Sequence, residues 1–187
     1  MKLLSSALFL LLVVPATCKS SALEDACRSF AAGHPSIGYD YCIRTFQADK
    51  ASAAAADARS LAAVAARIAE AKANATAARV AALSATETDA RRRDRLAVCA
   101  EVYSDAVDQL AQAAEDLARG EGEGAVADDA VTQLSAALDA PGTCEDAFGE
   151  ADDTSPLAAE DAEFKKLATI ALAVAASLTP LPPMISD

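Results

Sequence analysis

The stretch LAVCAEVYSDAVDQLAQAAEDL, Leu96–Leu117, decides the fold. Leu96, Tyr103, Leu110 and Leu117 recur every seven residues, and Cys99, Ala106 and Ala113 recur on the same face. A stripe of that period marks an amphipathic helix lying nearly along a neighbouring helix. The spacing predicts this helix from about Asp89 to Ala118. Gly120-Glu-Gly122-Glu-Gly124 should end it, because glycine accepts the left-handed cap and makes the turn flexible.

Three further helical segments flank this one, in a region rich in alanine, the best helix former. Upstream, Asp49 to Leu83 carries Leu61, Val64, Ile68, Ala71 and Ala75 at helical spacing. Ser84-Ala-Thr-Glu87 has capping-box form and predicts a helix start nearby. Downstream, Ala125 to Phe148 carries Val131, Leu134 and Leu138 on one face, and Pro141-Gly142 should kink or interrupt it. Thr143-x-x-Asp146 is suited to restart the turn. A last segment follows Ser155-Pro156, a cap with proline at the first helical position, with Phe164, Leu167, Ala171, Val174 and Leu178 as its stripe. Pro180, Pro182 and Pro183 stop it, and residues 180–187 read as a disordered tail. Leu23 to Ile43 differs in character. With Gly33, Pro35, Gly38 and two cysteines, it reads as a helical hairpin (23–45) ahead of a bundle (49–178). Strand signals are weak everywhere, so the expected fold is all-α.

The first residues read as a leader. Met1-Lys2 is basic, Leu3 to Val14 is apolar apart from Ser5 and Ser6, and Pro15-Ala-Thr-Cys18 supplies a break and small residues. Residues 1–22 are therefore expected to be a secretory signal peptide cut between 18 and 22, leaving a domain over 23–179. The apolar run is too short to span a bilayer, and a lipid-modified Cys18 fits poorly because of Thr17. The chain has 187 residues and five cysteines. Loss of Cys18 leaves Cys27, Cys42, Cys99 and Cys144, an even set that reads as a disulfide framework in a secreted chain. A zinc site would want close CxxC pairs.

Four cysteines allow three connectivities, and helix geometry favours one. The turn centres near position 121.5, with Cys99 22.5 residues before it and Cys144 22.5 residues after it. In an antiparallel pair of equal rise the two come level, as a disulfide requires. Cys27 and Cys42 are left to close the hairpin.

The formal net charge is −12, and losing Lys2 makes it −13. That excludes the usual phosphate-binding surface of a nucleic-acid partner and suits attraction to a basic one. No catalytic constellation, metal set or cofactor motif is present. His34 reads as an exposed turn residue. Asp128-Asp129 and Asp152-Asp153 lack a calcium-loop pattern and read as residues near helix starts. Arg91-Arg92-Arg93 reads as a solvated face, with a processing or docking site as its alternative and Asp89 and Asp94 offsetting its charge at a helix start. Asn74-Ala-Thr76 is an N-glycosylation sequon.

Taken together, the cysteine environments are more specific than the periodicity. Tyr39-Asp40-Tyr41-Cys42 follows Cys27 with Pro35 between them. Cys99 sits in Leu96-x-x-Cys99-x-x-x-Tyr103-x-x-Ala106-Val107-x-x-Leu110. Leu134-Ser-Ala-Ala-Leu138 and Thr143-Cys144-Glu145-Asp146-Ala147-Phe148 come next, then Ser155-Pro156-Leu157 and a helix with Leu167 and Ile170-Ala-Leu-Ala. In that order the chain resembles the plant invertase and pectin methylesterase inhibitor family from about Cys27 to Leu178. The Tyr-Asp-Tyr-Cys form is most similar to its pollen-allergen branch, whose members are described as invertase inhibitors.

The resemblance implies an up-and-down four-helix bundle behind a helical hairpin, with the cysteines paired in sequence order. It implies a monomeric extracellular inhibitor of the apoplast or cell wall, not an enzyme. Its partner would be pectin methylesterase, whose cleft it covers one-to-one, or alternatively acid invertase. The invertase branch uses a Pro-Lys-Phe element. Here the nearest string is Glu163-Phe164-Lys165-Lys166, which favours pectin methylesterase. The helix face opposite the Leu96–Leu117 stripe carries Glu101, Asp105, Asp108 and Gln112, the candidate partner-binding residues. A rival reading is a structural helical protein without an enzyme target, which the alanine bias suits. A small-molecule carrier is disfavoured, since alanine promotes close helix packing.

Overall fold

A computed structural model describes residues 21–120 and 125–179. The expected signal peptide up to residue 20, Gly122 and Gly124 of the turn, and the expected tail 180–187 lie outside the described residues. The described chain is helical: α1 Ala22–Gly33, α2 Tyr39–Ala48, a short 3-10 turn Lys50–Ala54, α3 Ala58–Thr86, α4 Ala90–Arg119, α5 Ala125–Leu138, α6 Ala140–Gly149 and α7 Ala158–Ala176. α1 and α2 form the hairpin. α3, α4, the broken helix α5–α6, and α7 form an up-and-down four-helix bundle, with α3 and α5 each packed against both α4 and α7.

Local chemistry accounts for the helix limits. Ser21 and Glu24 form a reciprocal capping box at α1, and Asp57 and Ser60 form one at α3. Asp89 starts α4 by accepting the N–H groups of Arg91 and Arg92 at 2.8 and 3.1 Å. A helix does start near Ser84–Glu87, at Ala90, but those four residues are not its capping box. α3 runs through Ser84 to Thr86, and Glu87 accepts the N–H of Thr88 and Asp89 at 2.8 and 2.9 Å, making the turn between the helices. Gly120 caps α4 at φ +68°, a left-handed conformation costly to other residues.

The break between α5 and α6 falls at Asp139, two residues before Pro141. Proline is tolerated in a first turn but not in a helix interior, so α6 begins early enough to hold Pro141 there. Thr143 is consequently inside α6, bonded to the Asp139 carbonyl, and restarts nothing. Ser155 likewise caps a turn, accepting the Leu157 N–H at 3.1 Å, and α7 begins at Ala158.

The α4 stripe is buried throughout: Leu96, Cys99, Tyr103, Ala106, Leu110 and Leu117 are no more than 2% exposed. On α3 the face is rotated from the expected one. Leu61 and Val64 are buried, but Ala71 and Ala75 are exposed, and Ala69, Ala73, Thr76 and Val80 face inward. A 29-residue helix drifts from a seven-residue repeat, and alanines on every side give the pattern no fixed phase. On α7, Phe164, Ala171 and Val174 are buried as expected, Leu167 is half-buried, as is Leu178 just past the helix end, and Asp161 joins the buried side.

Cys27 is bonded to Cys42, with Cα atoms 5.6 Å apart, and Cys99 to Cys144, with Cα atoms 4.6 Å apart. This is the connectivity that the level positions about the turn predict. Replacing Cys99 and Cys144 together by alanine is expected to lower the unfolding free energy by about 4 kcal/mol for the 45-residue separation, against about 3 kcal/mol for the Cys27/Cys42 pair and its 15. Urea unfolding of the two double variants against the parent checks both values and their order.

Candidate functional site

Glu101, Asp105, Asp108 and Gln112 are all exposed on α4. Their spacing places them on one face, opposite a stripe whose burial fixes the helix rotation. None of the three carboxylates is ion-paired among the described residues, so their field reaches into solvent. Asp105 alone of the four lines a groove of about 120 Å³ between α4 and the α5–α6 break, with Val102, Gln109, Asp139 and Thr143. Gln109 Oε1 is buried there without a hydrogen-bond partner. Sequence reasoning missed Gln109, Asp139 and Thr143, because α5 and α6 come beside this face only when the bundle packs.

The arginine run is not a uniform solvated face. Arg91 and Arg93 are exposed, but Arg92 turns inward with Arg95. Arg92 bonds Glu87 at 3.1 Å and also Asp153, which Arg95 shares. Both guanidinium groups lie over the Phe148 ring, 5.5 and 6.0 Å from its centroid. The bonds to Asp153 hold the Arg92 guanidinium above its usual range. Burial raises the Asp153 carboxyl, but the Thr154 N–H and Arg92 outweigh it and leave the group low. Asp153 therefore does not serve a helix start. It ties the α6–α7 connection to the start of α4.

His34 is half-buried, not an exposed turn residue. Its ring stacks on Phe30 at 4.9 Å, and its N–H caps α1 by donating to the Phe30 carbonyl at 2.9 Å. Asn74 is exposed on α3, whereas Thr76 of the same sequon is fully buried and donates to the Lys72 carbonyl at 3.0 Å.

The Tyr39–Cys42 motif has a structural use. Tyr41 donates to Glu163 at 2.6 Å, and Lys166 pairs with Glu163 at 3.2 Å while lying over the Tyr41 ring at 5.3 Å. The bond from Tyr41 holds the Glu163 carboxyl below its usual range, and burial pushes the Tyr41 phenol up. Between Glu163 and Lys166, Phe164 is fully buried and meets Tyr103 edge-on at 5.4 Å. The string Glu163–Lys166 thus fastens the hairpin to α7 and fills the core. It is not a protruding element.

A hairpin bonded to a disulfide-pinned four-helix bundle with an acidic outer helix face defines a class of small all-α proteins. The chain belongs to the plant invertase/pectin methylesterase inhibitor family, whose sequence profile matches residues 14–174. The family is one of enzyme inhibitors. The chain is 27% identical over 166 residues to a "Putative invertase inhibitor" of Platanus acerifolia, covering 88% of this chain and 89% of that one. It is 32% identical over 134 residues to a pectinesterase inhibitor of Actinidia deliciosa, covering 71% and 69% respectively. A crystal structure of a mutant pectin methylesterase inhibitor from Arabidopsis matches with a TM-score of 0.65 at 22% identity, over 84% of this chain and 97% of the other.

Replacing Tyr41 by phenylalanine removes the bond to Glu163 and leaves the ring. The expected loss is about 1 kcal/mol, the net value of one such bond at a half-exposed site, read as a lower urea midpoint. Exchange of the α1–α2 amides should quicken more than that of α4.

Proposed function

We propose that this protein is an extracellular inhibitor of a plant pectin methylesterase, itself not an enzyme, which covers the target's active-site cleft in a one-to-one complex. Membership of the inhibitor family carries this reading, and the exposed, unpaired acids of α4 support it. The rigid bundle lowers the ordering cost of binding, and Glu101, Asp105 and Asp108 would speed encounter with a basic enzyme. Burial of Phe164 favours pectin methylesterase over acid invertase, since the nearest counterpart of the Pro-Lys-Phe element is inside the core. The leader would be removed on secretion, with the cut between 18 and 22; a cut no later than Ser20 keeps the Ser21 cap of α1. No described helix is long and apolar enough to cross a membrane. Asn74, exposed and in a sequon, would carry a glycan.

Titration of purified pectin methylesterase at slightly acidic pH should abolish de-esterification near one equivalent, while sucrose hydrolysis by acid invertase is unchanged. Inhibition of invertase alone would move the assignment to the other branch of the family, and inhibition of neither across plant isoforms would refute the reading. Charge reversal at Glu101, Asp105 and Asp108 together should weaken inhibition at least tenfold at low salt without changing the melting temperature. Protein secreted from plant cells should lose the mass of one N-glycan on enzymatic deglycosylation, and Asn74→Gln should be secreted at the deglycosylated mass.

A further inference from the structure

Asp161 is 3% exposed, the one buried acid of the described core. It stands on the inner face of α7, three residues before Phe164. Tyr103 crosses the bundle from α4 and donates its hydroxyl to Asp161 Oδ1. The other oxygen, Oδ2, is buried with no donor, and Glu145 Oε1 on α6 is buried in the same condition. The two carboxyl groups line one groove between α6 and α7. Two ionised carboxylates have four acceptor oxygens and no hydrogen to share, so this arrangement is unsatisfied as long as both are charged. One proton placed between Oδ2 and Oε1 satisfies both orphan oxygens at once.

We propose that Glu145 and Asp161 hold one proton between them, forming a latch that fastens α7 to α6 in acidic medium and weakens as the medium becomes neutral.

The surroundings agree in sign. Burial, then the hydrogen bond with Glu145, pushes the Asp161 carboxyl up to about 7, against the lowering effect of Tyr103. On α7 itself, Glu160 adds a repulsive charge, and Arg79 of α3 is paired with Glu160 at 3.9 Å. Lys165 of α7 and Asp146 of α6 also line the groove. The ionisable residues of α5, Asp128 and Asp129, are exposed near its start. In the unfolded chain an aspartate titrates near 4. Between that value and about 7 the folded protein therefore holds the extra proton. Stability from the pair is complete below about pH 4, falls as pH rises, and is lost once pH passes the folded value. Because Cys144 fixes α6 to α4, the element released is the start of α7.

Asp161→Asn tests the latch with its geometry kept. The amide Nδ2–H can donate to Glu145 without a titrating proton, and Oδ1 still accepts from Tyr103. Urea unfolding of the full chain between pH 4.5 and 7.5 should show the parent losing stability relative to Asp161→Asn. The ratio of their unfolding constants should change on the order of a hundredfold across the window. Parallel profiles would overturn the proposal. The acids with lowered ranges, such as Asp57 and Glu163, are common to both proteins and cancel in the ratio. Carboxyl carbon NMR of the parent supplies a second reading that needs no variant. One carboxyl of the pair should titrate near neutrality, and ordinary carboxylate midpoints for both would overturn the latch even if Asp161→Asn did not fold.

Discussion

The Cys99–Cys144 bridge is the constraint on which the other tertiary features depend. It pins α4 to α6 on the far side of a helix break, so α5 and α6 together act as the third rod of the bundle. With α4 and α6 held level, Tyr103 points across the bundle at α7 and Glu145 is carried to the α6–α7 seam. The same register places Asp139 and Thr143 beside Asp105 at the edge of the α4 acidic face. A slip of one turn would move these groups by about 5 Å, beyond hydrogen-bonding distance.

The bundle divides its labour between two kinds of contact. Small side chains such as Ala69, Ala73, Ala106 and Ala113 bring helix backbones close, which favours dispersion contacts but specifies little. Specificity comes from a few long or polar groups placed between helices. Tyr103 joins α4 to α7 across the diagonal. Tyr41 and Glu163 join the hairpin to α7. Arg92, Arg95 and Asp153 join the α6–α7 connection to the start of α4. Each is a point contact at a different height, and together they fix how otherwise smooth alanine surfaces sit against one another. The acidic face of α4 is left free of such ties.

Much of this was legible in the residues. Leu96, Tyr103, Leu110 and Leu117 read correctly because large side chains give a periodic pattern a definite phase. The α3 face did not, because Ala71 and Ala75 look the same to a pattern as Ala69 and Ala73. Capping boxes were ambiguous for a related reason. Ser84–Glu87 has the right letters, but a helix already under way continues through serine at small cost, and Asp89 beyond the turn supplied the cap instead. Asp161 left a signal that was not used. It lies three residues before Phe164, on the inward side of α7, where an acid requires a partner. That partner sits 58 residues away in sequence, so spacing within one helix could not name it.

The residues alone determined helix content, the approximate helix limits, the pairing of the cysteines and the family. These follow from local propensity, from stripe period and from equal chain lengths about a turn. The fold alone decided which of several equivalent alanine faces turned inward, that Arg92 and Asp153 serve structure, that Phe164 is withdrawn from the surface, and that Asp161 is buried against Tyr103. Such outcomes depend on distances between helices far apart in the chain. Those distances are set when the bundle closes, and the level bridge between Cys99 and Cys144 holds them there.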